Sequence, residues 1–420
     1  MTVDSTSGTA LLVDEYGKTI FPILMYYEKA VEESEELKNC ESVKEIARRG
    51  ASISSTSPLP KIMRINRSDP DRFREVRWVL PPTSWLLYKL HFKDGEKWEN
   101  IAVDWTNALK FGEDITHVTP SWFTPVFEDA DVSTELLPSI VECGSFIGLA
   151  KSDLAEKIGL KGAKLFHGMT DGTASALATG CIETGDFGIG CGTATVPKYV
   201  CEEFRPHHTI YYHKHPIKGY LAGAAPVTGG MLEWLSEKIC GIPVKEAFFL
   251  AEKMKSEEEY MYFPQGDRSP FDDPLLGATL TGLWLEDKPR DEIMGKIFRS
   301  VMIGITFLEY YYIVLFERLF NTKIAEVRLT GGGTRSNLWN KMRAAIYERP
   351  VKIMNDQVVV GALIPVALKL QLYKDAKEAA NTLLKTVEEI NPNSEVTLKY
   401  ISQRDLFMQR WEILRKIHHI

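Results

Sequence analysis

Apolar and polar positions follow two different periods along this chain, and the switches between them mark out its elements. Near the start, apolar residues alternate up to Asp14-Glu15-Tyr16-Gly17, where a second apolar run begins, the pattern of a β-hairpin. Residues 27–49 are rich in Glu and Lys with apolar residues at helical spacing, which predicts one surface helix ending before Gly50. A loop is predicted over residues 52–60, then a helix from Leu59 carrying Ile62 and Ile65. Residues 78–90 predict a helix opened by proline. Residues 104–109 and 121–123 are polar and aromatic, suited to the mouth of a cleft. Residues 137–148 predict a strand and turn, and residues 150–159 a short helix.

The middle of the chain places three unusual features side by side. Residues 165–169 predict a buried strand, with Thr170-Asp171-Gly172 at its carboxyl end, where open α/β sheets bind ligands. Asp171 is therefore a candidate for chemistry. Residues 173–179 carry Ala174, Ala176 and Ala178, a helix slim enough to admit another backbone or a ligand, and Gly180 ends it. Residues 187–196 predict strand, tight turn, strand, with Gly190, Gly192 and Thr193 at the bend, where N–H groups and a hydroxyl can face a phosphate.

Residues 292–320 are apolar on more than one face and predict a buried helix. After it come a strand (324–330), a glycine turn (331–337), a helix (338–347) with Leu338, Met342 and Ile346 on one side, a strand (351–354) and a helix (358–372) with Gly361 and Ala362 at its close-packed end. This order puts a glycine turn at the carboxyl end of a strand, the position for a nucleotide, although such a turn alone is as readily a plain tight turn. Residues 222–233 bring small residues into a helix start, and residues 406–417 form an amphipathic helix that serves either a dimer or its own domain.

A length of 420 residues predicts two domains, and a net charge of −7 argues against nucleic acid or an anionic membrane as partner. The start lacks the basic and apolar regions of a secretory leader, and no run approaches 18 apolar residues, so a cytoplasmic location is expected. The six cysteines form no C-x-x-C pair, and burial is the expectation for Cys181, Cys191 and Cys201 despite their even spacing. His207, His208, His213 and His215 read either as a metal cluster or, preferably, as an exposed hairpin whose polar tips alternate with aromatic faces.

Asp171 with its small-residue helix, the turn at residues 190–195, and Leu329-Thr-Gly-Gly-Gly-Thr-Arg-Ser-Asn-Leu-Trp339 followed by Gly361-Ala362 occur in an order that resembles the FGGY carbohydrate kinases, two-domain members of the actin-like ATPase superfamily. The resemblance covers most of the chain and includes residues 3–8, 104–112 and 120–122. With residues 225–230 and 262–268 it is most similar to pentulose kinases that use D-ribulose. It implies an α/β fold of two ribonuclease-H-like domains, a sugar-binding one over 1–180 and a nucleotide-binding one over 181–420, with a cleft between them. The implied activity is ATP-dependent phosphorylation of a ketopentose, D-ribulose or D-xylulose, or a related polyol, using ATP and Mg²⁺. Carried over by position, Asp171 is the general base, Gly192 and Thr193 the phosphate turn, and Gly331, Gly332, Gly333 and Asn337 the segment under the adenosine. Ser5, Thr6 and Ser7 contact the sugar. A small-molecule sugar is the implied partner, with no nucleic acid and no membrane, and a homodimer or a separate N-terminal fragment as protein partner.

The chain also departs from that pattern. Family members begin with an Asp-x-Gly-Thr hairpin for the metal and the ATP phosphates, and the expectation is that this chain starts after it, leaving the first domain N-terminally truncated. Residues 3–8 can be read as that hairpin, but Tyr26, Glu28 and Ala30 stand where relatives carry Trp-x-Asp-x-Arg, which favours the later register. The alternatives are an inactive sugar- or nucleotide-binding protein and an actin-like ATPase without a sugar substrate.

Overall fold

The computed structural model describes residues 1–226, 228–254, 260–283, 287–355 and 357–419. The later half of the chain is built on a seven-stranded sheet, in the order Tyr211–Lys214, Tyr220–Gly223, Thr195–Cys201, Phe187–Cys191, Val327–Thr330, Val351–Met354 and Thr386–Ile390. Phe187–Cys191, Val327–Thr330 and Val351–Met354 run parallel, and the remaining neighbours antiparallel. Parallel neighbours require crossover connections, supplied here by the helices Arg290–Phe320 and Asn337–Tyr347. Adjacent parallel strands end on the same edge of a sheet, so the turns after Cys191 and Thr330 meet.

Arg290–Phe320 buries residues on every side, and its Phe316 lies 5.8 Å from the Phe187 ring and 5.7 Å from the Tyr199 ring. The sequence reading found no span of membrane length; this helix is long and apolar enough, but 72% of its most apolar stretch is buried within the protein. The C-terminal helix Ser394–His418 is docked on the same half: Tyr400, Phe407 and Trp411 are buried, and Phe407 stacks on Phe263 at 5.2 Å. Of the two uses open to residues 406–417, this face serves its own domain.

The earlier half carries short two-stranded ladders. Asp4–Ser5 runs parallel to Met169–Thr170, Leu11–Val13 antiparallel to Trp78–Leu80, and Ala102–Asp104 parallel to Ser139–Val141. The expected turn is present, with the Gly17 N–H donating to the Asp14 carbonyl at 3.1 Å and the Tyr16 and Lys18 N–H groups to the Asp14 carboxylate at 2.9 Å.

Several boundaries differ from the sequence reading for local reasons. The helix expected over 27–49 is two, Val31–Lys38 and Glu41–Arg48. The Asn39 side chain donates to the Glu35 carbonyl (3.2 Å) and Cys40 is extended, so side-chain bonding replaces the continuing helix. Trp78–Leu80 is strand, and the helix starts at Pro82. The strand expected over 165–169 is interrupted at His167-Gly168, where a Cβ on Gly168 would lie 1.7 Å from the Val3 carbonyl oxygen. Within the expected small-residue join at 222–233, Val227 lies outside the described residues.

Candidate active site

Asp171 is the first residue of the helix Asp171–Ala178, directly after Met169–Thr170, and is exposed. The strand end before it is anchored from below. The Thr170 N–H donates to Thr106 Oγ1 (2.9 Å), whose hydroxyl donates to Asp104 Oδ1 (2.6 Å). Asp104 also caps its own helix, taking the N–H groups of Thr106 (3.1 Å) and Asn107 (3.0 Å) and the Asn107 side-chain amide (2.8 Å). Asp104, Thr106 and Asn107 are fully buried, so this segment, expected at a cleft mouth, is instead the support under Asp171.

Partial burial pushes the Asp171 carboxyl above its ordinary value; the Gly172 N–H opposes this and the Asp4 charge adds to it. A carboxylate whose proton affinity is raised is a better acceptor for a hydroxyl proton. Ser5 is the register partner of Thr170, the last strand residue before Asp171, and the ladder ends there. Thr6 is exposed and Ser5 and Ser7 half-buried, in the segment that leaves this ladder.

Gly192 and Thr193 border a cavity of about 620 Å³, faced by Gly332, Gly333 and Asn337. Gly190 lies within the strand, and the bend itself is 192–194. The Gly192 N–H is committed to the Ala194 carbonyl (3.1 Å), and the Thr193 carbonyl accepts from Gly230 N–H (2.9 Å), so the turn is rigid, and this glycine amide is not free for an anion. Gly331 does not border the cavity. Its φ of 93° and a notional Cβ 2.7 Å from the Cys191 carbonyl oxygen make it the residue that lets the two turns pack together. Asn337 opens its helix and donates to Glu388 Oε1 at 3.1 Å.

The opposite wall, from the helix Val244–Lys253, was missed by sequence reasoning: Val244, Lys245, Phe248 and Phe249 line the cavity. The sequence held no local signal for it: Phe248 and Phe249 are consecutive apolar positions of an amphipathic helix, and only the fold leaves Phe249 54% exposed at the cavity. A much smaller space of about 30 Å³, bordered by Gly172, Ser175, Thr179, Gly190 and Lys198, lies between the Asp171 helix and the strand that leads to Gly192.

Cys191 borders the larger cavity and Cys181 the smaller one, whereas His207, His208, His213 and His215 border neither. Cys181, Cys191 and Cys201 are buried with their thiols directed at backbone carbonyls. Tyr211–Lys214 does form a hairpin with Tyr220–Gly223, but it is not the exposed one expected: Tyr212, Lys214 and His215 are buried. His215 contacts the Cys181 carbonyl (3.0 Å) and accepts from the N–H groups of Ile217 (3.1 Å) and Lys218 (3.2 Å), while His207 and His208 stack on each other at 4.6 Å.

Known proteins share this architecture. A xylulose kinase of Bacillus subtilis is 23% identical over 363 residues, covering 83% of this chain and 69% of that protein. An autoinducer-2 kinase of an Enterobacter species is 22% identical over 427 residues, covering 96% of this chain and 77% of that protein. The crystal structure of xylulose kinase from Rhodospirillum rubrum superposes with a TM-score of 0.84 at 21% identity, covering 100% of this chain and 85% of that one, which establishes the two-domain α/β fold. Residues 2–178 match the N-terminal domain, and residues 189–369 the C-terminal domain, of one family, and with both domains matched in order this chain belongs to the FGGY family of carbohydrate kinases.

Proposed function

We propose that this sugar kinase transfers the γ-phosphate of ATP to a hydroxyl of a ketopentose, D-xylulose or D-ribulose, or of a related polyol, with Asp171 as the general base. The observation that carries the reading is the strand pairing that sets Asp4–Ser5 against Met169–Thr170, directly before the exposed Asp171. Residues 1–180 hold the sugar and residues 181–420 the nucleotide. The adenosine lies between Gly332-Gly333 and the Phe248 wall, and its phosphates run towards Thr193. Such transfer needs mainly positioning, charge stabilisation and one proton acceptor, and domain closure would expel the water that competes with the sugar.

Among the described residues no group of three or more His, Cys, Asp or Glu side chains is placed to hold a metal ion. A Mg²⁺ ion bound through one carboxylate and substrate phosphates needs no such cage, and Asp4, near enough for its charge to act on Asp171, would supply that carboxylate and leave Asp171 to the sugar. The ion would neutralise phosphate charge during transfer. The same reading places the protein in the cytoplasm.

The test is purified 1–420 with ATP and Mg²⁺ against D-xylulose, D-ribulose and no sugar. Sugar-dependent ADP release supports the reading, and sugar-independent release supports an actin-like ATPase instead. Turnover by this chain alone at ordinary kinase rates, about 1–100 per second, removes the need for a fragment.

A further inference from the structure

At the floor of the nucleotide cavity, which Arg343 borders, lies a buried ion pair that the phosphoryl-transfer reading does not use. Glu309 comes from the long helix Arg290–Phe320 and Arg343 from the helix Asn337–Tyr347; their side chains are 0% and 1% exposed. The contact is a two-point fork, Arg343 Nε to Glu309 Oε2 and Nη2 to Oε1, each at 3.0 Å. The Tyr347 hydroxyl donates to Glu309 Oε2, and the guanidinium lies 4.1 Å over the Trp339 ring, whose N–H donates to Thr306 Oγ1 (2.9 Å).

Each member of the pair also reaches a different turn of the cavity. Arg343 Nη1 donates to the carbonyl of Gly333, in the turn proposed under the adenosine, at 3.0 Å. Glu309 Oε1 is 3.5 Å from the Thr195 hydroxyl, at the end of the phosphate turn. Thr195 shares a 2.7 Å hydroxyl contact with Thr228, whose N–H donates to the Thr193 carbonyl at 3.3 Å. A connected line of polar contacts thus runs from the Gly333 carbonyl through Arg343, Glu309 and the Thr195 and Thr228 hydroxyls to the Thr193 carbonyl, its last link backbone to backbone. Buried ion pairs add little net stability compared with packed apolar residues, so the pair's presence at this junction calls for another role.

We propose that Glu309 and Arg343 are positioning residues that hold the Gly333 and Thr193 turns at the spacing a nucleoside diphosphate requires. The proposal rests on the nucleotide reading of this cavity and names the pair that sets its affinity. Neither side chain takes part in the sugar chemistry. Replacing the pair by two leucines keeps the interior filled but frees the turns from each other. Lysine at 343 keeps the charge, but one ammonium cannot reproduce a planar fork that serves two carboxylate oxygens and a carbonyl.

The experiment measures ADP dissociation constants by calorimetry, which needs no turnover, together with thermal midpoints without ligand and the KM values for ATP and sugar. The variants are Glu309→Leu/Arg343→Leu, Arg343→Lys and Tyr347→Phe. The paired leucine variant is expected to melt close to the parent, with its ADP dissociation constant and ATP KM raised about tenfold and its sugar KM unchanged. Arg343→Lys should weaken ADP binding similarly. If the leucine variant does not fold, Tyr347→Phe carries the test, with a rise of about threefold from losing one hydrogen bond to Glu309. Parent-like ADP affinity in the leucine variant, or in Tyr347→Phe where that variant stands in, overturns the proposal. So does a sugar KM that rises as much as the ATP KM. Failure of the nucleotide reading is distinguishable, because then the unmodified protein itself binds no ADP.

Discussion

Gly361 and Ala174 are in backbone contact across two helices: a Cβ on Gly361 would lie 2.0 Å from the Ala174 carbonyl oxygen and 2.7 Å from the Ala178 nitrogen. The Asp171–Ala178 helix is thereby seated directly on Val358–Lys369, with Ala174 and Leu177 buried in the same cluster as Ala362 and Ile364. The position of the proposed base is set by a helix from the other half of the chain.

That contact fixes the sign of a substitution. Gly→Ala within an exposed helix stabilises by roughly 0.5–1 kcal/mol. At Gly361 the new methyl meets main chain, which cannot rotate away, and overpacking of this kind costs about 1–3 kcal/mol. Gly361→Ala is expected to lower both the thermal midpoint and kcat, read by calorimetry and a coupled ADP assay. An increased midpoint would show that the helices separate freely.

Asp171→Asn isolates the proton acceptor. Asparagine preserves size and the exposed helix start but cannot take the sugar hydroxyl proton, so kcat should fall by roughly 10²–10⁴ while ADP binding stays near the parent value. Because the Asp171 carboxyl is raised above its ordinary value, chiefly by burial, kcat/KM of the parent should decline with acidification already above the usual carboxylate range. A variant within tenfold of the parent would remove Asp171 from the role.

What could be read from the sequence was set by range. Val351–Met354 was legible because a short apolar run is bounded by Pro350 and Asn355, and the small size of Ala174, Ala176 and Ala178 correctly announced a close approach. The identity of the approaching residue, Gly361, belongs to a helix far along the chain, and no local pattern pairs the two. The breaks at Cys40 and Gly168 were invisible for related reasons: one depends on a side chain that captures a carbonyl, the other on the proximity of Val3. On the nucleotide side the glycine turns stood out, but the wall at Phe248 and Phe249 is an ordinary amphipathic helix until the fold sets it opposite Gly332. Glu309 interrupts an apolar helix and Arg343 an apolar face; each made sense only once the other was seen across 34 positions.

Glu113 gives a pH-dependent prediction. Its side chain is fully buried, and neither carboxyl oxygen has a hydrogen-bond partner. Burial first, and the nearby Asp104 and Asp114 charges, push its pKa well above the ordinary value, against the pull of Lys214. The folded state therefore keeps a proton that the unfolded chain releases above about pH 4.3. Its stability is fully present below that value and is lost as pH rises towards the folded pKa. Glu113→Gln cannot ionise, so its thermal midpoint should exceed the parent's at pH 8 and converge with it near pH 4. An equal difference at both pH values would mean that Glu113 is ionised in the folded protein.

The carboxyl of Asp273 gives the opposite sign. It receives His419 Nε2 at 2.6 Å and Arg415 Nε at 3.1 Å, both from the end of the C-terminal helix. The His419 contact, ahead of Arg415 and the Leu275 N–H, holds its pKa down to about 2. An acid whose folded pKa lies below its unfolded value, about 3.9, stabilises the fold above that value. The contribution disappears as pH falls towards the folded pKa. Asp273→Asn should therefore speed amide exchange over residues 411–419 at pH 6 relative to the parent, and the difference should shrink steadily as the pH is lowered below about 4. Arg415 also stacks on Phe271 at 5.0 Å and Trp411 packs against the same ring at 4.8 Å, so the body of the helix should remain docked in the variant. Exchange that rises over the whole of Ser394–His418, or a difference independent of pH, would show that the helix is held by something other than this carboxylate.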